Sequence, residues 1–256
     1  MSDTGRYLNI SIITAVYNGA ATIRDCIESV RSQRHRVEHI IIDGGSTDGT
    51  REIIESYRHC LARVVSEPDR GIFDAMNKGI ALATGEVIGI LNADDFYVRP
   101  EVLAKVAGVF ADKNIDSCYG DLVYIDPADP GRVIRYWRSG SYHDRRFYQG
   151  WMPPHPTFFV RKEVYEAFGK FNPALGSAAD YELMLRFLAK HRVSTAYIPE
   201  VLVKMRTGGM SNFSLKNRLR ANRMDRMAWR VNRLKPLPWT IMMKPISKIP
   251  QYFRKP

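Results

Sequence analysis

Apolar β-rich runs alternate with helical patterns through the first hundred residues, and that alternation limits the fold more than any other feature of the chain. Residues 8–16, "LNISIITAV", and 37–43, "VEHIIID", are short, nearly continuous apolar runs of the kind that parallel strands covered on both faces show. Between them Ile23, Cys26, Ile27 and Val30 recur at helical spacing, which makes a βαβ unit. The pattern repeats in "STDGTREIIESY" then "ARVVSEP", and in "GIFDAMNKGIALATG", a helix expected to close at Gly85, then "EVIGILNADD". Strand and helix in strict alternation predict an α/β fold with a doubly wound, mostly parallel sheet. In such sheets ligands bind beyond the carboxyl ends of the strands. Tyr17 and Asn18, Asp43, and the pair Asp94 and Asp95 all follow predicted strands, so they are expected to share one edge. A lone Asp before Gly-Gly is as well explained by turn formation. Three acidic or polar strand ends on one edge are better explained by a ligand.

Adjacent aspartates at the end of an apolar strand repel each other, and a hard divalent cation, Mg or Mn, rewards the arrangement by neutralising both and bridging to phosphate oxygens. No G-x-G-x-x-G follows the first strand and no Gly-rich loop ends in Lys-Ser/Thr, which argues against a dinucleotide-dependent dehydrogenase and a P-loop ATPase. A diphosphate displaced as a whole fits better.

The net charge of +11 suggests nucleic acid until it is located. Twelve Lys and Arg against one acid, Asp225, fall in residues 213–256, so this segment carries the whole excess and residues 1–212 are formally neutral. The same split divides the chain into a domain of residues 1–212 and a basic amphipathic tail of residues 213–256. Within the tail, residues 213–234 have helical spacing, and Trp239, Ile241, Met242, Met243, Ile246, Ile249, Tyr252 and Phe253 mix with Lys and Pro. This suits the surface of an anionic membrane, and equally a helix packed on the domain with a solvated basic side. A nucleic-acid-binding protein would spread its cations over the folded face, and this chain does not. The three cysteines, Cys26, Cys60 and Cys118, fit neither a disulfide framework nor a zinc spacing. With neither a leader pattern nor a long apolar run, the expected location is the cytoplasm, peripheral on the inner face of the cell membrane.

Taken in order, "SIITAVYNGAATIRDCIESVRSQ", "IIIDGGSTDGT", "GIFDAMNKGIALATGEVIGILNADD" and "SAADYELMLRF" resemble the family 2 glycosyltransferases of GT-A fold, in particular bacterial enzymes of O-antigen and exopolysaccharide assembly of the colanic-acid type. The resemblance spans about residues 8 to 212. It implies an inverting, metal-dependent transfer from a nucleotide-diphosphate sugar to a saccharide acceptor, lipid-linked in such pathways. It further implies that Ala15, Val16 and Tyr17 border the nucleotide base with Asp43 nearby, and that Asp94, backed by Asp95, holds Mg or Mn and through it the donor diphosphate. Arg70 and Lys78 flank the helix that leads to this strand and are implied to help neutralise phosphate. Asp180 matches the family's general base. The chain departs from the pattern at Gly44, where many members carry a second Asp, and at Asn92, which replaces the first acid of a strict D-x-D.

Read from the residues alone, Asp180 near a helix start serves as cap or base equally well. His155, between prolines in "MPPHPT", is more simply a structural histidine, whereas the resemblance makes it an acceptor or phosphate contact. The glycines of "MRTGGMSN", residues 205–212, allow a loop that closes over donor and equally a plain turn. A sugar-nucleotide-binding relative without catalysis is the rival that shares this fold.

Overall fold

The computed structural model describes residues 8–208 and 215–253. The expected alternation is present as β1 (Ile10–Val16), α1 (Ile23–Arg31), β2 (Val37–Asp43), α2 (Thr50–Ser56), β3 (Arg63–Ser66), α3 (Ile72–Leu82) and β4 (Val87–Ile90). These strands are parallel, in the order β3-β2-β1-β4. Every residue of β1 is buried, because helices cover both faces of the strand. Side chains alternate between the faces: Ile13 and Ala15 join one core cluster with Met76 and Ile80 of α3, while Ile12 and Val16 join the other with Ile23 and Ile27 of α1.

The second half continues the sheet with changes of direction. It comprises β5 (Asp95–Tyr97), α4 (Val102–Val109), β6 (Ser117–Ile125), β7 (Val133–Trp137), β8 (Phe159–Arg161), α5 (Lys162–Phe168), α6 (Ala179–Met184) with a π turn through Lys190, and β9 (Thr195–Arg206). β8 lies antiparallel between β4 and β6; β6 runs parallel to β9; β5 and β7 pair antiparallel with β9 and β6. The result is a mixed sheet whose first four strands are the parallel, doubly wound part.

Two local expectations shift. Helix α3 ends at Leu82 rather than at Gly85. Gly85 instead lies against β1, where a Cβ would sit 2.6 Å from Ser11 Oγ and 2.8 Å from the Asn9 carbonyl, so a side chain is excluded by close approach. Strand β4 ends at Ile90, and Asn92–Asp95 form a turn closed by the Asp95 N–H donating to the Asn92 carbonyl at 3.0 Å. Asp94 therefore sits in a turn and Asp95 closes that turn as the first residue of β5, so neither is at the tip of a long strand.

The basic segment follows as α7 (Leu215–Val231), α8 (Thr240–Ile246) and a 3₁₀ turn over Ile249–Tyr252. The boundary at 212/213 lies outside the described residues, as do residues 209–212 of the glycine loop, whose Gly208 takes φ of +101°. Ala228 and Trp229 are fully buried, and the Trp229 indole donates to the Tyr181 hydroxyl at 2.9 Å. Asn232 donates to Glu182 at 2.9 Å, Lys244 pairs with Asp225 at 2.7 Å, and Arg135 of β7 donates to Gln251 at 2.7 Å. These contacts pack the segment from Asp225 onward against α6 and β7. Among the described residues no helix is long and apolar enough to cross a membrane.

Candidate active site

The carboxyl ends of the parallel strands form a row: Val16 is in register with Asp43, and Asp43 with Ser66. Asp43 is fully buried, and its carboxylate accepts from the Ser46 N–H at 3.1 Å and from the Ser66 hydroxyl at 2.5 Å. It thereby fixes the loop after β2 to the end of β3. Asn18, at φ +50°, donates its N–H to Ser46 Oγ at 2.8 Å and accepts from the Thr47 N–H at 2.9 Å, so the loops after β1 and β2 are locked together. Ala15 and Val16 pack in the cores as the floor of this edge, while Tyr17 is 67% exposed above it. Gly44 explains one departure from the family pattern. A Cβ there would meet Asp69 Oδ2 at 2.6 Å and the Tyr17 ring at 3.5 Å, so the loop after β3 brings its own carboxylate to the place a second Asp would occupy.

Arg70 and Lys78 lie on the flank of this edge. The Arg70 side chain is exposed and pairs with Asp74 at 3.3 Å. Lys78 pairs with Glu67 at 2.7 Å, which holds its pKa up, and donates to the Pro68 carbonyl at 3.2 Å. Both cations are thus answered within the protein.

In the acid turn the Asn92 amide donates to Asp95 Oδ2 at 2.8 Å. An acid at position 92 would add a third like charge here, so Asn92 acts as the donor that orients Asp95. Asp95 is fully buried; burial first, and then the Asp94 charge, raise its pKa well above the carboxylate range. Asp94 is half-buried and is also raised by burial, while Arg206 opposes the rise. Arg206 donates to the Asp94 carbonyl at 3.0 Å, pairs with Asp25, and lies 4.9 Å from the Phe96 ring centre, which ties the turn to β9 and α1. The thiol of Cys26 is pushed up to about 12, chiefly by burial and then by these two acids.

A divalent cation suits this turn on one observation: Asp95 Oδ1 is buried with no hydrogen-bond partner among the described residues, next to a second acid that repels it. Two carboxylates do not complete a coordination shell. Among the described residues no group of three His, Cys, Asp or Glu forms a cluster, so water or ligand oxygens would supply the remaining positions.

Asp180 falls inside the first turn of α6, whose N-cap is Ala178 without any side-chain cap bond. Its Oδ1 accepts the N–H of Tyr181 at 2.7 Å, leaving Oδ2 without a hydrogen bond among the described residues. The neighbouring Glu182 is committed: Arg186 and Asn232 occupy its oxygens. His155 stacks edge-on with Phe171 at 5.6 Å, and its Nε2 is buried without a partner among the described residues. Burial lowers the pKa of His155 and Asp180 opposes this, so the ring is neutral near pH 7 and lies close to the acid. Tyr124 of β6 joins the two acidic elements. Burial raises its pKa, Arg135 lowers it, and both Asp95 and Asp180 add to the rise. Asp95 and Asp180 thus both act electrostatically on Tyr124, and Asp180 on His155, while Tyr17 and Asp43 lie on the parallel-strand edge. Arg206, Tyr124, Arg135 and Lys248 escape sequence reasoning, since their places depend on contacts across the fold, such as Arg206 with Asp94 and Asp25 and Arg135 with Gln251.

The mixed α/β sheet, with its first four strands parallel and doubly wound, has the architecture of the GT-A glycosyltransferases. Residues 11–169, more than half of the chain, match the family described as Glycosyl transferase family 2, and the chain belongs to that family. It is 29% identical over 208 residues to a PGL/p-HBAD biosynthesis glycosyltransferase of Mycobacterium tuberculosis, covering 79% of this chain and 78% of that one. It is 32% identical over 185 residues to an uncharacterised glycosyltransferase of the same organism, covering 69% and 68%. Among solved structures, Staphylococcus aureus TarS 1–349 with UDP-GlcNAc aligns at TM-score 0.65 and 18% identity, over 88% of this chain and 66% of that one. The mannosyltransferase PcManGT of Pyrobaculum calidifontis, with GDP-Man and Mn2+, aligns at TM-score 0.65 and 20% identity, over 96% and 70%.

Proposed function

We propose that this glycosyltransferase moves a sugar from a nucleotide-diphosphate donor, with inversion, to a lipid-linked saccharide in the assembly of a bacterial surface polysaccharide of the O-antigen or exopolysaccharide type. The observation that carries the reading is the acid turn, where Asp95, buried and oriented by the Asn92 amide, keeps Oδ1 without a hydrogen-bond partner among the described residues beside Asp94. The base would lie against Tyr17, with Asp69 and Asp43 on the polar side; the TarS and PcManGT complexes with UDP-GlcNAc and GDP-Man support a nucleotide-sugar donor. Asp94 and Asp95 would hold Mg or Mn, which when bound offsets the charge of the departing diphosphate. Asp180 Oδ2 takes the proton of the acceptor hydroxyl as that oxygen forms its bond to the anomeric carbon and the bond to the diphosphate breaks on the opposite face. No second acid is required. Neutral His155 orients the acceptor through Nε2, and Arg206 holds the acid turn in place.

A thermal-shift series of UDP-, GDP- and dTDP-sugars with Mn tests this, because a ligand of the native state alone raises stability by about 2.7 kcal/mol at a hundredfold excess over its Kd. One donor is expected to raise the melting temperature in a metal-dependent way, and its hydrolysis with metal separates an enzyme from a binding relative. No shift with any donor sinks the proposal.

The membrane part of the reading is supported by a cluster of exposed apolar side chains near the chain end: Trp239, Met242, Ile246, Ile249 and Phe253, the last 83% exposed. Lys244 and Lys248 lie in the same stretch. Met242→Glu with Phe253→Glu is expected to lower partition into phosphatidylglycerol vesicles about tenfold or more, with stability unchanged because both positions are exposed. Co-sedimentation at low and high salt measures it. If the parent protein ignores the vesicles at low salt, this part fails.

A further inference from the structure

Phe171 lies in an irregular stretch between α5 and a 3₁₀ turn over Pro173–Ala178, so no strand or helix ladder answers its backbone. Asn77 of α3 answers it instead. Its Nδ2 donates to the Phe171 carbonyl at 2.9 Å and its Oδ1 accepts the Phe171 N–H at 3.0 Å, so one side-chain amide pairs both polar groups of a buried residue as a neighbouring strand would. Phe73, one turn before Asn77 on the same face of α3, packs its ring on that of Phe171 at 5.4 Å between centres. The Phe171 ring in turn meets His155 edge-on, at 5.6 Å and 84° between planes. That contact aims the imidazole, because Nε2 is buried without a hydrogen-bond partner among the described residues. The adjoining row of α3 serves the loop before the helix: Asp74 accepts the Arg70 N–H at 3.1 Å, and Lys78 pairs with Glu67 at 2.7 Å.

We propose that Asn77 is a positioning residue for the acceptor: it fixes Phe171, and the Phe171 ring holds His155 at the angle from which Nε2 meets the acceptor. This rests on the acceptor role given to His155 above. A ring contact is directional but weak, so an imidazole aimed by one turns as soon as the supporting ring shifts. Two hydrogen bonds to the main chain of that support stop the shift, and small displacements of a substrate-orienting group are costly. The clamp needs an amide, because it must donate and accept at once. An aspartate keeps the bond from the N–H and sets a carboxylate against the Phe171 carbonyl, while an alanine leaves both buried groups unpaired. Asp74 and Lys78 hold the loop before α3 independently of the clamp, so its loss is felt on the acceptor side and not at the nucleotide edge.

The imidazole carbon–proton resonance of His155 in the full, histidine-labelled chain reads the clamp directly, and its loss in His155→Gln identifies it. Asn77→Ala is expected to move and broaden this resonance, and to speed hydrogen exchange of the Phe171 N–H about tenfold or more. Phe171→Leu leaves both main-chain bonds to Asn77 in place and removes only the ring. It is expected to move the resonance as far, and it keeps the test valid if Asn77→Ala melts. Asn77→Asp falls between parent and Asn77→Ala. With octyl glucoside and octyl galactoside as acceptor probes, Asn77→Ala is expected to raise KM about tenfold with kcat within about twofold, the mark of lost acceptor binding. Calorimetry with UDP and GDP plus Mn is expected to give affinities within about twofold of the parent. A His155 resonance unchanged in both Asn77→Ala and Phe171→Leu overturns the proposal. So does an equal loss of nucleotide affinity, which makes Asn77 a support of the whole domain. If the resonance moves while His155→Gln leaves the acceptor KM as in the parent, the acceptor role falls with the reading it rests on, and the clamp alone stands.

Discussion

Asp94→Asn is expected to lower turnover by about two to three orders of magnitude, the scale of removing one group that stabilises developing charge on a leaving group. The argument runs through the turn. Asp94 is half-buried, and the bond that anchors it to Arg206 uses its backbone carbonyl, which the substitution leaves intact. The fold should therefore persist, with melting within about 1 kcal/mol of the parent. What disappears is one of two carboxylates available to a cation, so the Mn-dependent melting shift with nucleotide should vanish. Asp95→Asn provides the contrast. Asp95 is fully buried, and an ionised carboxylate there carries a desolvation penalty that an amide does not. Without metal this variant is expected to melt at or above the parent. A thermal-shift series on both variants, with and without Mn, decides the matter; an Asp94→Asn protein that keeps its metal response removes Asp94 from the site.

The parallel half of the fold is legible in the sequence because its cause is local: β1 and β2 are apolar runs whose length and β-branched content specify a covered strand without reference to anything distant. The mixed half is not. β5 is three residues long, and only its pairing with β9, more than a hundred residues on, makes it a strand. The end of β4 at Ile90 is hidden for a local reason, since Leu91 extends the apolar run one residue past the end of the strand. For the site, the acid pair and the acid of "AADYEL" stand out by type and position. Their supports do not. Arg206, Tyr124 and Arg135 are ordinary residues of strands until the sheet brings them together, and Lys248 was one of twelve cations in a segment read by its net charge. Gly44 shows the reverse case. Its departure from the family pattern is plain in the sequence, and its reason, the approach of Asp69, is visible only in three dimensions.

Asp180→Asn is expected to reduce turnover by two or more orders of magnitude while nucleotide-sugar binding and stability persist. A positioned general base contributes on the order of 10²–10⁴ to rate, and asparagine cannot accept the proton. The structural role is separable because α6 has Ala178 as its N-cap and draws no cap bond from Asp180. The one hydrogen bond the side chain makes, from the Tyr181 N–H at 2.7 Å, is available to an asparagine Oδ1 as well. Loss of a favourable first-turn charge costs about 0.3–1 kcal/mol, which fixes the small melting change to expect. Nor can a neighbour substitute easily: Glu182 is held by Arg186 and Asn232, and burial disfavours the protonated form of His155, which makes it a weaker base than an exposed imidazole. The informative comparison is therefore Asp180→Asn against His155→Gln under saturating donor. If Asp180 is the base, the first loses kcat and the second mainly raises KM for acceptor. If instead His155→Gln loses kcat and Asp180→Asn turns over normally, the proton goes to the histidine and Asp180 serves only to orient it.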